Sequence, residues 1–167
     1  MSGTLPAPPD ALRGPPRAFY DELLKMLDVV QPARVDVAKS SVRFDDDGVE
    51  VTIAHADRDD WSILATVGDD DAIVAVSDVH EHFSPPSSGG AEERSWTTQT
   101  VDFVAEVLRG EIEIESTFRG GSPAYVRHFN RAENGERNLL GHTGVLHPGR
   151  LLVWRPKRTE TIRVSFL

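Results

Sequence analysis

The sequence predicts an α+β fold: a mainly antiparallel sheet of about seven to eight strands with two helices packed on one face. Three observations carry that prediction. Two stretches repeat apolar residues at the helical period, most of the other apolar residues alternate with polar ones, and the connections between alternating stretches are too short for parallel crossovers.

Residues 1–15 hold Pro6, Pro8, Pro9 and Pro15 with Gly3 and Gly14. Such a composition lacks amide donors and buries little, so a flexible lead-in is expected, with 16–167 as one domain. Pro16 suits the first turn of a helix whose stripe is Phe19, Leu23, Leu24, Leu27 and Val30, and Gln31-Pro32 stops it. The period then changes to two. Val35 and Val37 alternate, as do Val42 and Phe44; Asp45–Gly48 turns the chain, and Val49, Val51, Ile53 and His55 share a face. Trp61, Ile63, Ala65 and Val67 follow, then one long strand over Ala72–Phe83. After a Pro/Ser/Gly-rich loop, Ser95 offers a helix N-cap. The second helix presents Val101, Val104, Ala105 and Leu108, broadened by Trp96, Phe103 and Val107, and ends at Arg109-Gly110. Ile112, Ile114, Ser116 and Phe118 then alternate with Glu111, Glu113, Glu115 and Arg119, whose face is expected to meet water. Further strands are expected over Ala124–Asn130, Leu151–Arg155 and Thr161–Leu167, with a loop-rich segment at Asn134–Gly149 and a last hairpin at Pro156–Glu160.

The 167 residues suit one domain of ordinary soluble composition. The absence of cysteine excludes disulfides, thiolate zinc sites and a cysteine nucleophile. A net charge of −9 argues against a nucleic-acid or anionic-membrane partner, and no apolar run is long enough for a membrane span. Met1–Arg13 lacks the build of a signal peptide, so a cytoplasmic location is expected.

The sharpest local constellation is Asp78-Val79-His80-Glu81-His82-Phe83. On one continuous strand Asp78, His80 and His82 share a face, a set that can chelate a divalent ion such as zinc. The plainer reading is a wet strand end. His55 closes an apolar face and reads as a core or boundary residue. The runs Asp45–Asp47 and Asp69–Asp71 lack the ligand spacing of a calcium loop and read as solvated turns. Glu111, Glu113 and Glu115 form a regular carboxylate row, better suited to charge complementarity than to acid/base chemistry. Arg150, Arg155, Lys157, Arg158 and Arg163 cluster near one hairpin without an accompanying aromatic array.

Across Trp61–Arg119 and the strand that follows, the strand end Val79-His80-Glu81-His82-Phe83, a loop, an amphipathic helix ending Leu108-Arg109-Gly110 and the run Glu111-Ile112-Glu113-Ile114 occur in that order. This order resembles small bacterial α+β proteins of the polymorphic-toxin immunity type. The resemblance implies a cytoplasmic, acidic, non-catalytic protein that occludes a cognate toxin, and it carries over no individual site residue.

The expected function is therefore a non-catalytic interaction module that binds a protein partner through an acidic surface, using Glu111, Glu113 and Glu115 with Asp78, Glu81 and His82. Two alternatives stand beside it. One is a metal-dependent enzyme built on Asp78, His80 and His82, where the ion would activate water. The other is a small-molecule-binding domain lined by Trp96, Phe103 and Val107.

Overall fold

A computed structural model describes residues 5–45, 48–77, 79–86, 95–119, 122–131, 135–143 and 157–167. The fold is α+β, with two helices and nine strands among the described residues. The strands form two antiparallel sheets, of five and four strands, rather than one sheet of seven to eight. The chain divides into two compact units: Met1–Arg109 with Phe166–Leu167, and Gly110–Ser165.

In the first unit, helix α1 (Gly14–Val30) opens on the prolines and ends at Gln31, whose left-handed backbone (φ 47°) returns its N–H to the Leu27 carbonyl. Its buried stripe is Pro16, Phe19, Tyr20, Leu23 and Leu27. Tyr20 takes the place expected for Leu24 and Val30, which are only half-buried. The lead-in is tied down at two points: the Tyr20 hydroxyl donates to the Pro6 carbonyl at 2.7 Å, and Leu12 is buried. Burial pushes the Tyr20 phenol up to about 12. Tyr20→Phe is expected to cost about 1 kcal/mol in urea melts and to remove the most alkaline step of an ultraviolet tyrosine titration. Loss of the less alkaline step instead would place the phenol in water.

Strands β1 (Ser41–Asp45), β2 (Gly48–Ile53), β3 (Ile63–Val67), β4 (Ala72–Val76) and β5 (Val79–Phe83) form a meander in chain order. The rows Ile53–Ile63–Val76–Val79 and Val49–Val67–Ala72 fill the covered face. Helix α1 packs on β2 and β3, helix α2 (Trp96–Arg109) on β4 and β5, and the helices meet each other. The Thr98 hydroxyl donates to the Glu22 carboxylate at 3.1 Å between them. Trp96, Phe103 and Val107 are buried parts of this core. Gly48 has to be glycine because a Cβ there would stand 2.2 Å from the Val67 carbonyl oxygen.

Two expectations change here. The strand read over Ala72–Phe83 is a hairpin, broken at Ser77 (φ 53°) before Asp78. Val35 makes only an isolated bridge, to His55. His55 itself is buried, edge-on to Trp61 at 5.2 Å and Phe166 at 4.8 Å, as the sequence led us to expect. Its Nδ1 accepts the Asp57 N–H at 3.1 Å. Phe166 is held by its N–H to the Leu108 carbonyl and by its own carbonyl, which accepts the Arg34 N–H.

The second unit is the sheet β8-β7-β6-β9, built from β6 (Ile112–Arg119), β7 (Ser122–Arg131), β8 (Arg137–Thr143) and β9 (Lys157–Arg163). Strand β8 lies where a loop-rich segment was expected, and β9 begins before the expected Thr161. The expected strand Leu151–Arg155 lies outside the described residues. Gly110 leads into β6 at φ +75°, with Ser165 so close that a Cβ would stand 2.8 Å from its side chain.

Candidate functional site

The hairpin changes the chemistry of the histidine motif. A two-residue turn pairs Val76 with Val79, so the inward face passes from Val74 and Val76 to Val79, Glu81 and Phe83. His80 and His82 therefore lie opposite Ala75 and Ile73 on the outer face, not in line with Val74 and Val76. Both are exposed, with ring centroids 5.1 Å apart, whereas half-buried Glu81 points the other way. Asp78 lies outside the described residues. Among the described residues no three His, Asp or Glu side chains converge as a metal-ligand group.

The glutamate row differs most from expectation. Glu113 and Glu115 are only 5% and 9% exposed, because arginines from three neighbouring strands close over them. Arg131 reaches Glu113 at 2.8 Å, Arg163 at 2.9 Å and Arg137 at 3.0 Å. Arg127 pairs with Glu115, and Arg137 also approaches it at 3.6 Å. The register explains the convergence: Glu113 stands across from Phe129 and Arg163, and Glu115 across from Arg127. The Glu113 carboxyl is held below its usual range, first by the hydrogen bond from Arg163 and then by the Arg131 and Arg137 charges, against the opposing effect of burial. Glu111 precedes the strand, half-buried, and its carbonyl accepts the Arg131 N–H. Glu113 and Glu115 are thus the covered centre of an ion-pair network, not part of an exposed acidic patch.

Above the carboxylates the surface is cationic and aromatic. The Arg137 guanidinium lies 4.0 Å from the Phe129 ring centroid, and Arg127 lies 5.6 Å from Phe129 and 5.8 Å from Tyr125. The sequence signal was present in the alternation Tyr125-x-Arg127-x-Phe129-x-Arg131. A local pattern does not reveal the whole face, because its other arginines, Arg137 and Arg163, come from separate strands.

Acidic surface is found instead at the turn end of the first unit. A hollow of about 330 Å³ is walled by Pro9, Leu12, Pro16 and Phe44, with Asp45, Asp69 and Arg13 also lining it. A second, of about 320 Å³, shares Asp45 and Gly48 and adds Glu50, Asp71 and Arg43, whose guanidinium lies 3.5 Å from Glu50 and 3.9 Å from Asp45. The Asp69 carboxylate lies beside Gly14 at the start of α1, where the helix dipole favours negative charge. Asp45 and Asp69–Asp71 are exposed, and Asp46 and Asp47 lie outside the described residues. Counted by unit, the first carries nine basic against 21 acidic residues, net −12; the second carries nine against six, net +3.

These features define an α+β protein of two antiparallel sheets with strongly segregated charge. Comparison with family models, curated proteins and solved structures finds no match. No described helix is long and apolar enough to cross a membrane.

Proposed function

We propose that the chain is a non-catalytic interaction module that binds a basic protein partner through the acidic turn end of its first unit. The observation that carries this reading is the paired hollows, where the carboxylates of Asp45, Asp69 and Asp71 stand beside apolar walls and, with Glu50, outnumber the lining arginines Arg13 and Arg43. A lysine or arginine of the partner would lay its aliphatic stem on Leu12 and Phe44 and bring its charge to the rim. Charge complementarity of this kind raises association rates and weakens with salt. The resemblance to toxin-immunity proteins agrees with a module of this class. The test is capture from lysate by the immobilised full chain and by Asp45→Asn/Asp69→Asn/Asp71→Asn, at low and high salt. A partner lost roughly tenfold or more in the triple variant is expected. Unchanged capture by that variant would remove the turn end from consideration.

A further inference from the structure

Strand β7 presents Tyr125, Arg127, Phe129 and Arg131 on one face in steps of two residues, each about 6.8 Å. Arg137 from β8 and Arg163 from β9 complete that face. Four guanidinium groups thus surround two carboxylates. The carboxylates are buried, whereas the arginine side chains remain 35–46% exposed. The network therefore hides its negative charge, shows its positive charge and holds the guanidinium planes in place. Each guanidinium has five donors, more than these contacts use, and Arg137 lies over the Phe129 ring while its side chain stays 35% exposed.

We infer that this face binds an extended single-stranded polynucleotide. Phosphates sit on Arg127, Arg131 and Arg163, and bases stack on the layered Phe129–Arg137 pair and on Tyr125. Alternating cations and aromatics are what such a strand requires, since the backbone needs charge and every base offers a stacking surface. The net −9 of the whole chain does not decide the matter. Screening confines each charge to about 10 Å at 0.1 M salt, and the second unit taken alone is net +3.

The test is fluorescence anisotropy of labelled 12-mers of oligo(U) and oligo(dT) with the full chain, at about 50 mM salt and above. Saturable binding of either oligomer is expected, with a logarithmic salt slope of about −2 to −3 for three or four phosphate contacts. Whichever binds more tightly identifies the sugar preferred. Phe129→Leu, which leaves the ion pairs intact, and Arg137→Gln should each weaken binding about tenfold, with circular dichroism confirming that both variants fold. Three results would overturn the inference: no saturable binding, equal affinity in the Phe129→Leu variant, or equal binding of a poly-glutamate peptide of the same length. The last would give the face to an acidic protein segment.

Discussion

Phe166→Ala is expected to destabilise the first unit by about 3–5 kcal/mol in urea denaturation, the usual cost of truncating a fully buried aromatic ring. The ring meets His55 edge-on at 4.8 Å, and the backbone around it bonds both Leu108 and Arg34. Removing it opens a cavity between segments far apart in sequence, which limits how far the site can collapse. A loss below about 1 kcal/mol would show that these segments close without it.

Glu113→Gln should cost the second unit about 2–3 kcal/mol at neutral pH, below the full penalty of breaking a buried pair because the arginines retain access to water. The substitution keeps the shape but leaves three guanidinium groups around a neutral amide. The effect has a definite sign with pH. Because the folded carboxyl titrates below its ordinary value, its contribution is complete above the normal carboxylate range and is lost as the pH falls through the folded value. The gap between wild-type and variant melting temperatures should therefore close on acidification from about pH 7 to pH 3. A constant gap would mean that packing, not ionisation, accounts for the loss.

The amphipathic pattern made the fold class legible. Val49, Val51 and Ile53 alternate cleanly, and Phe19, Leu23 and Leu27 keep the helical period, because each has one covered face. The β4–β5 turn was hidden because Ser77 takes a left-handed conformation usually signalled by glycine or asparagine. Reading through that turn carried His80 and His82 onto the wrong face. Strand β8 escaped notice because a bulge opposite His128/Phe129 breaks its alternation and leaves Leu139 and Leu140 adjacent. The glutamate row was visible as a row, but its environment was not. Solvent exposure was inferred from alternation alone, while the covering arginines come from strands whose pairing a local pattern does not reveal.

The return of Phe166 to the first unit also sets an order of events on the ribosome. The chain leaves that unit at Arg109 and rejoins it beside Leu108, so Gly110–Ser165 is in effect a parenthesis opened and closed at one place. The helices and five-stranded meander can assemble as they emerge, but the groove around His55 stays unfilled until the whole parenthesis has been translated. During that interval the nascent first unit shows an apolar gap to chaperones and proteases, and synthesis of its own insert sets how long the gap lasts.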